Sequence, residues 1–257
     1  MNELSITIVQ YDQVWEDVTA NIGLIDTMLS AHHMTTDIII LPEMFTTGFT
    51  QNINMATTME GKEVLWMKQK ADLYQALIMG SLIVEDGDRY YNRLLAVYPD
   101  GTVTHYDKRH LFSLMHEDQN FTAGKFHTII TYKDWRIAPY ICYDLRFPVW
   151  CRNTENADLM VFVANWPQKR HYHWTTLLKA RAMENQCYVA GVNRIGMDNL
   201  YNEYNGQSAV YDFWGNSLIL AENLQTLHTV TISKDRLMRH RADFPFWNDA
   251  DNFNIYE

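Results

Sequence analysis

The sequence predicts a mixed α/β protein, because strand patterns and helix patterns alternate along its 257 residues. Residues 4–9 alternate in the manner of a half-buried strand, and residues 21–30 carry apolar side chains at the spacing of an amphipathic helix. Residues 38–41 and 159–164 are continuous apolar runs of strand length, as expected for strands covered on both faces. The chain therefore opens with a strand, a helix and a buried strand.

The remaining elements follow from the same periodicities and from turn residues such as Pro99, Asp100 and Gly101. Helices are predicted at 63–75, 150–156 and 174–185, and strands at 76–84, 93–98, 102–106, 136–141, 188–193, 208–211, 218–220 and 229–232. No repeat, low-complexity stretch or linker interrupts this order. With 47% apolar and 20% charged residues the chain can bury a large core, and we expect one domain over residues 1–257.

The charge and hydropathy of the chain argue against several classes of function. Its formal net charge of -10 provides no positive field for the phosphates of nucleic acid. Its longest apolar runs are far shorter than the roughly 20 residues that span a bilayer. The first residues lack the basic and continuous apolar regions of a secretory signal. We therefore expect a cytoplasmic protein that binds neither nucleic acid nor membrane.

The three cysteines, Cys142, Cys151 and Cys187, are odd in number and contain no CxxC pair. This pattern argues against a disulfide framework and against a zinc site. The densest histidines, His171 and His173, lie two residues apart and so do not share a helical face. We expect no metal and no other cofactor, whereas any one cysteine could be a nucleophile.

Three polar residues stand where predicted strands end. Glu43 follows the apolar run 38–41, Lys108 follows the strand at 102–106, and Cys142 follows the strand at 136–141. A carboxylate, an ammonium and a thiol can serve as general base, oxyanion donor and nucleophile. Each residue also has an ordinary interpretation: a solvated loop acid, a surface lysine and a buried structural cysteine. The residues alone leave both interpretations open.

The segments DIIILPEMFTTGF, HYDKRHLF and ICYDLRFP, in this order, resemble the three signature blocks of the nitrilase superfamily. The resemblance continues through DLMVFVANWP, HWTTLLKARAMENQCYVAGVNRIG and NGQSAVYDFWG, and so covers nearly the whole chain. It implies a four-layer α-β-β-α sandwich that commonly dimerises. It also implies Glu43 as general base, Lys108 as oxyanion stabiliser and Cys142 as nucleophile. A further family acid corresponds to Glu117, although the segment around His116 departs from the usual small residues.

The residues after the nucleophile indicate a branch of this superfamily. True nitrilases typically follow the cysteine with Trp-Glu, whereas this chain has Tyr143 and Asp144, which favours amides over nitriles. The CYDLRFP segment is similar to the omega-amidases and to the deaminated-glutathione amidases. The ANWP segment, the following arginine and LLKARAMENQ favour the omega-amidases, which hydrolyse the terminal amide of 2-oxoglutaramate and related 2-oxo acid amides.

An omega-amidase must bind a carboxylate at the far end of a short substrate, and arginine does so with paired hydrogen bonds. Arg146 and Arg170 are the candidates, and for Arg146 a structural ion pair with Asp144 is the alternative. Trp166 is expected to wall the substrate pocket or to pack in the core. Tyr143 completes the predicted substrate-binding set, because a backbone N–H near it would bind the oxyanion.

Two other functional classes compete with hydrolysis. An inactive dimeric scaffold would be expected to lose one of the three catalytic positions, and none is lost here. A lipid-modifying acyltransferase would need membrane spans, which the sequence does not predict. Arg181 and Glu184 on the long helix are expected to form a structural ion pair and not to be catalytic groups. The aromatic tail at Phe244, Phe246, Trp247 and Phe253 is expected to cover a partner subunit or the protein's own sheet.

Overall fold

The computed structural model describes residues 2–32 and 35–255, which form the following elements. The helices are α1 (Val18–Ser30), α2 (Lys62–Tyr74), α3 (Glu117–Asn120), α4 (His171–Glu184) and α5 (Lys234–Asp243). The strands are β1 (Glu3–Gln10), β2 (Ile38–Ile40), β3 (Leu77–Asp86), β4 (Arg89–Val97), β5 (Val103–Asp107), β6 (Ile130–Tyr132), β7 (Trp135–Ile141), β8 (Leu159–Ala164), β9 (Tyr188–Asn193), β10 (Ile195–Met197), β11 (Glu203–Asn205), β12 (Ala209–Tyr211), β13 (Ser217–Leu220) and β14 (Thr226–Ser233).

The strands form two six-stranded mixed sheets and a small hairpin. The first sheet has the order β14-β1-β2-β3-β4-β5, and the second has the order β13-β12-β9-β8-β7-β6. In the first sheet β1, β2 and β3 are parallel, and in the second β7, β8 and β9 are parallel. The hairpin pairs β10 with β11 outside both sheets.

The two sheets pack face to face, and helices cover their outer faces. Leu4 and Ile6 of β1 share one core cluster with Tyr140 and Phe162 of the second sheet. The apolar sides of α1 and α2 form a separate cluster on the other face of the first sheet. On the second sheet α4 lies so close to β9 that a Cβ at Gly191 would fall 2.4 Å from a methyl carbon of Leu178. The expected four-layer α-β-β-α order is thus confirmed.

The predicted elements are largely confirmed, with one wrong helix and several omissions. Residues 150–156 form turns instead of a helix, because Asn153 bonds the backbone of Ala157 through both its side-chain atoms. Such side-chain bonds replace those of a helix. The β10–β11 hairpin and α5 were not predicted, and β4 begins at Arg89, four residues before the expected start of that strand.

The carboxyl ends of the parallel strands lie at one edge of each sheet. Glu43 follows β2, while Cys142 and Asn165 follow β7 and β8. Because β5 is antiparallel to β4, which is antiparallel to β3, its carboxyl end lies at the same edge and delivers Lys108 there. The backbone N–H of Asn165 donates to Glu43 Oε2 at 2.8 Å, so the two sheet edges meet. A single site forms at this junction.

The aromatic tail after α5 packs partly on the protein's own surface. The ring of Phe244 is stacked on the ring of Trp214, with centroids 6.4 Å apart, and Trp247 contacts the guanidinium of Arg152. Phe244 and Phe253 nevertheless remain exposed. In the described part of the chain, no helix is both long enough and apolar enough to cross a bilayer.

Candidate active site

Local backbone geometry places the candidate residues at abrupt turns. Cys142 directly follows β7 and begins the 3₁₀ turn Cys142–Arg146, with a φ of 44°. Met44, directly after Glu43, and His116, directly before Glu117, also have left-handed φ values. Non-glycine residues pay an energetic cost for this conformation, and it is often found at functional sites.

Lys108 is the centre of a buried charged cluster. Its Nζ lies 2.8 Å from Glu43 Oε1 and 3.0 and 2.9 Å from the two carboxylate oxygens of Glu117. The Asn92 side-chain amide donates to Oε1 of both acids, at 2.9 Å to Glu43 and 3.2 Å to Glu117. All three charged side chains are at most 1% exposed, so the solvated-acid and surface-lysine interpretations are wrong.

The backbone on both sides fixes the orientation of the two carboxylates. Asn165 donates from its backbone to Glu43 Oε2 and from its side-chain amide to the Glu43 carbonyl oxygen, at 2.8 and 2.6 Å. Gln13 donates to that same carbonyl oxygen at 3.0 Å. The N–H of Phe112 donates to Glu117 Oε2 at 2.6 Å. Each acid is therefore held in one position before any ligand binds.

The electrostatics of the cluster keep the lysine charged and the thiol protonated. Burial lowers the pKa of Lys108, but the charges of Glu117 and Glu43 outweigh this effect and raise it above its ordinary value. Burial raises the pKa of Glu117, against the lowering effect of Lys108. Burial, then the charge of Glu43, raises the pKa of the Cys142 thiol well above its ordinary value, although Lys108 opposes this. The thiol therefore needs a base in order to attack.

A cavity of about 230 Å³ opens onto this cluster. Both Lys108 and Cys142 line it, and so do all four residues predicted to bind substrate: Tyr143, Arg146, Trp166 and Arg170. Its other walls come from aromatic and apolar side chains and from the β10–β11 hairpin: Phe49, Phe112, Leu114, Met115, Asn165, Pro167, Asp198, Leu200, Asn202 and Tyr204. The cavity thus combines an apolar wall with a few charged groups, as small-molecule sites commonly do.

Arg146 does not form the ion pair that was the alternative for it. Asp144 accepts from the N–H and ring of His110 and from the hydroxyl of Tyr106, with distances of 2.9, 2.8 and 2.8 Å. The guanidinium of Arg146 instead donates to His173 Nδ1 at 3.0 Å and lies 4.5 Å from the ring centroid of Trp166. Asp144 therefore stabilises the turn, and it does not neutralise the charge of the Arg146 guanidinium at the cavity.

Trp166 lies both in the core and at the wall of the cavity. It is only 3% exposed and belongs to the core between the sheets, yet it also lines the cavity. Its indole N–H donates to the backbone oxygen of Arg170 at 2.8 Å.

The expected ion pair between Arg181 and Glu184 is confirmed at 2.6 Å. Cys151 and Cys187 are fully buried free thiols.

The sequence interpretation missed several residues that shape the site. Asn165 directly follows the apolar run 159–164, the same signal that singled out Glu43, and could have been found by it. Asn92 lies inside β4 and carries no comparable signal. The hairpin that contributes Asp198 and Tyr204 to the cavity has no strong strand pattern. Across the described residues, no group of three or more His, Cys, Asp or Glu side chains has the arrangement to hold a metal.

Comparisons with known proteins identify the family of this chain. The family model described as carbon-nitrogen hydrolase matches residues 5–241. The chain is 43% identical over 257 residues to the omega-amidase YafV of Escherichia coli K12, with full coverage of both chains. It is 30% identical over 251 residues to the 2-oxoglutaramate amidase of Bacillus subtilis, covering 95% of this chain and 96% of that one.

A solved structure from Xanthomonas campestris shares the fold over its whole length. That CN-hydrolase superfamily protein, which has an arsenic adduct in its active site, is 42% identical with a TM-score of 0.97 and full coverage of both chains. The yeast nitrilase-superfamily protein Nit3 has a TM-score of 0.83 at 21% identity, covering 95% of each chain, and so supports the fold alone. The chain therefore belongs to the carbon-nitrogen hydrolase family of the nitrilase superfamily and is an omega-amidase-like carbon–nitrogen hydrolase.

Proposed function

We propose that the protein hydrolyses the terminal amide of a short 2-oxo dicarboxylic acid monoamide of the 2-oxoglutaramate type. One observation carries this choice: Arg146 and Arg170 line the cavity of Cys142, and neither has a carboxylate partner among the described residues. A carboxylate on the substrate would supply that partner. The names of the Escherichia coli and Bacillus subtilis relatives support the same substrate class.

The proposed reaction begins with attack by Cys142 on the amide carbon. Glu43 accepts the thiol proton while sulfur bonds to carbon, and the negative charge moves to the carbonyl oxygen. Lys108 and a backbone N–H near Tyr143 stabilise that oxygen. Glu43 then gives its proton to the nitrogen as the carbon–nitrogen bond breaks, so that ammonia leaves and a thioester remains.

Water completes the proposed cycle. Glu43 deprotonates the water as its oxygen attacks the thioester carbon, and collapse of the intermediate breaks the carbon–sulfur bond. Glu43 returns its proton to the thiolate of Cys142, and the acid product leaves and ionises to the carboxylate. Glu117 bonds Lys108 through both oxygens, which suits a positioning role for this acid.

A substrate comparison tests the proposed specificity. Losing one partner of a buried charge pair costs about 2–5 kcal/mol, so kcat/KM is expected to fall at least roughly 30-fold when valeramide replaces 2-oxoglutaramate. Arg146→Ala and Arg170→Ala are expected to reduce this difference in kcat/KM, mainly by lowering the value for 2-oxoglutaramate. Ammonia release gives the measurement, with deaminated glutathione as a third substrate. Equal kcat/KM values for 2-oxoglutaramate and valeramide in the unmodified protein would refute the proposed substrate.

We further propose that the protein is a homodimer. A surface groove is lined mainly by apolar and aromatic side chains of α4, the β12–β13 turn, α5 and the tail: Ala180, Met183, Glu184, Phe213, Trp214, His240, Phe244 and Phe246. Trp214 and Phe244 are more than half exposed there, and a second copy would cover them. Light scattering should give twice the chain mass of 30.2 kDa, and Trp214→Glu should lower that mass. A concentration-independent monomer would refute the dimer.

A further inference from the structure

The hydrogen-bond partner of Arg146 differs from the partners of the most buried arginines of this protein. Arg93, Arg181 and Arg194 are at most 3% exposed, and a carboxylate contacts each of them within 3.0 Å. The side-chain hydrogen bond of Arg146 goes to the imidazole of His173 instead. A guanidinium has only donors, so the His173 Nδ1 that it contacts must be an acceptor and the imidazole must be neutral.

The contacts of Arg146 restrict its guanidinium from two directions. The indole of Trp166 lies against the guanidinium, with its centroid 4.5 Å away, and His173 accepts one N–H at 3.0 Å. His173 belongs to the first turn of α4, and Trp166 also bonds the backbone of Arg170. The helix start, the indole and both cavity arginines therefore form one connected unit.

A neutral acceptor has a physical advantage at this position. A carboxylate here would orient the guanidinium equally well, but it would also neutralise the charge and compete with a substrate carboxylate. An imidazole fixes the same N–H without adding a negative charge. Fixing a long side chain before binding lowers the conformational entropy that is lost when the ligand arrives.

We propose that His173 is a positioning residue for the substrate carboxylate, acting by orienting Arg146 while leaving its charge available. This inference rests on the proposed function, because it assumes that Arg146 binds the carboxylate. It assigns His173 no contact with the reacting atoms. Its effect should therefore appear in the preference for charged substrates and not in the chemistry common to all amides.

Three substitutions at His173 separate orientation from charge. His173→Leu removes the acceptor, His173→Asn replaces Nδ1 by an amide oxygen, and His173→Asp adds a carboxylate beside Arg146. Because this hydrogen bond is exposed to solvent, its loss in His173→Leu should lower kcat/KM for 2-oxoglutaramate about two- to fivefold. His173→Asn should retain most of the activity, and His173→Asp should lose more than His173→Leu. For valeramide all three variants should match the unmodified protein.

His171→Leu is the matched control on the same helix. His171 bonds the backbone oxygen of Gln168 and contacts the ring of Tyr172, away from Arg146. It should leave the ratio of kcat/KM values for the two substrates unchanged. Because His173 is exposed, its substitution is not expected to affect folding, and urea unfolding can check this for each variant.

The outcomes distinguish this inference from the function on which it rests. If Arg146→Ala leaves the preference for 2-oxoglutaramate intact, Arg146 is not the carboxylate ligand, and the proposed role of Arg146 fails together with this inference. If Arg146→Ala reduces the preference but His173→Leu and His173→Asp do not, the inference about His173 is overturned alone. Equal losses for both substrates would show a structural effect and would also overturn it.

Discussion

Removing the ammonium of Lys108 should destabilise the protein far more than removing the lysine of a partly exposed ion pair. Lys108→Met keeps the length of the side chain but leaves Glu43 and Glu117, both 0% exposed, without the cation at 2.8 and 2.9 Å. Breaking a buried pair in this way costs about 3–5 kcal/mol, because a buried charge is left uncompensated. Lys70, whose partner Asp26 is 40% exposed, provides the control, and Lys70→Met should cost about 0–1 kcal/mol.

The cost of Lys108→Met should depend on pH in a defined direction. Burial raises the pKa of Glu117 above its ordinary 4.5, and loss of the Lys108 charge should raise it further. A carboxyl group whose pKa is higher in the folded state binds its proton more tightly there, so its stabilising contribution is complete below 4.5 and is lost as the pH rises through the folded value. The variant should therefore approach the unmodified protein in stability at pH 5 and fall furthest below it at pH 8.

Urea unfolding at the two pH values gives the measurement. The free energy of unfolding is obtained for the unmodified protein, Lys108→Met and Lys70→Met, with equal slopes as the check on two-state comparison. A difference below about 1 kcal/mol at pH 8, or a larger difference at pH 5 than at pH 8, would refute the reasoning. The same variant should lose at least about 100-fold in kcat if Lys108 stabilises the oxyanion.

Three further predictions concern the nucleophile, the bridging amide and the packing of α4. Cys142→Ala should keep the urea unfolding curve of the unmodified protein but release no ammonia. Peptide mass spectra should show that iodoacetamide alkylates Cys142 and not the buried Cys151. Labelling of Cys151 alone would contradict the assignment of the nucleophile. Asn92→Leu should lower kcat about tenfold or more by removing one hydrogen bond from each carboxylate, and an unchanged kcat would exclude this role. Gly191→Ala should destabilise by about 1–3 kcal/mol in urea unfolding, whereas Gly23→Ala, where the new methyl meets nothing within 4 Å, should not; equal effects would refute the packing account.

Strand ends could be predicted from sequence because the physical signal is local. An apolar run such as residues 38–41 followed by Pro42 indicates where a buried strand stops, and Glu43 comes next. The same signal located Cys142 and would have located Asn165. It also gives the common edge, since parallel strands present their carboxyl ends together.

Contacts across the sheets could not be derived from such local patterns. Asn92 reaches Glu43 and Glu117 only because β4 passes beside β3 in the folded sheet. The contact of Arg146 with His173 was not predicted for the same reason, since the two residues are distant in sequence and near only in space. The alternative ion pair with Asp144 does not form because the turn directs Asp144 toward Tyr106 and His110.

The charge balance of the buried cluster decides when Cys142 can ionise in the proposed mechanism. Glu43 and Glu117 provide two carboxylates against the single ammonium of Lys108. A free thiolate would add another negative charge, which is why burial, followed by the charge of Glu43, raises the thiol pKa. When an amide binds, the charge of the attacking sulfur passes to the carbonyl oxygen beside Lys108 as Glu43 takes the proton. Transfer of the thiol proton to Glu43 and attack of the sulfur on the carbonyl carbon are therefore expected to occur together.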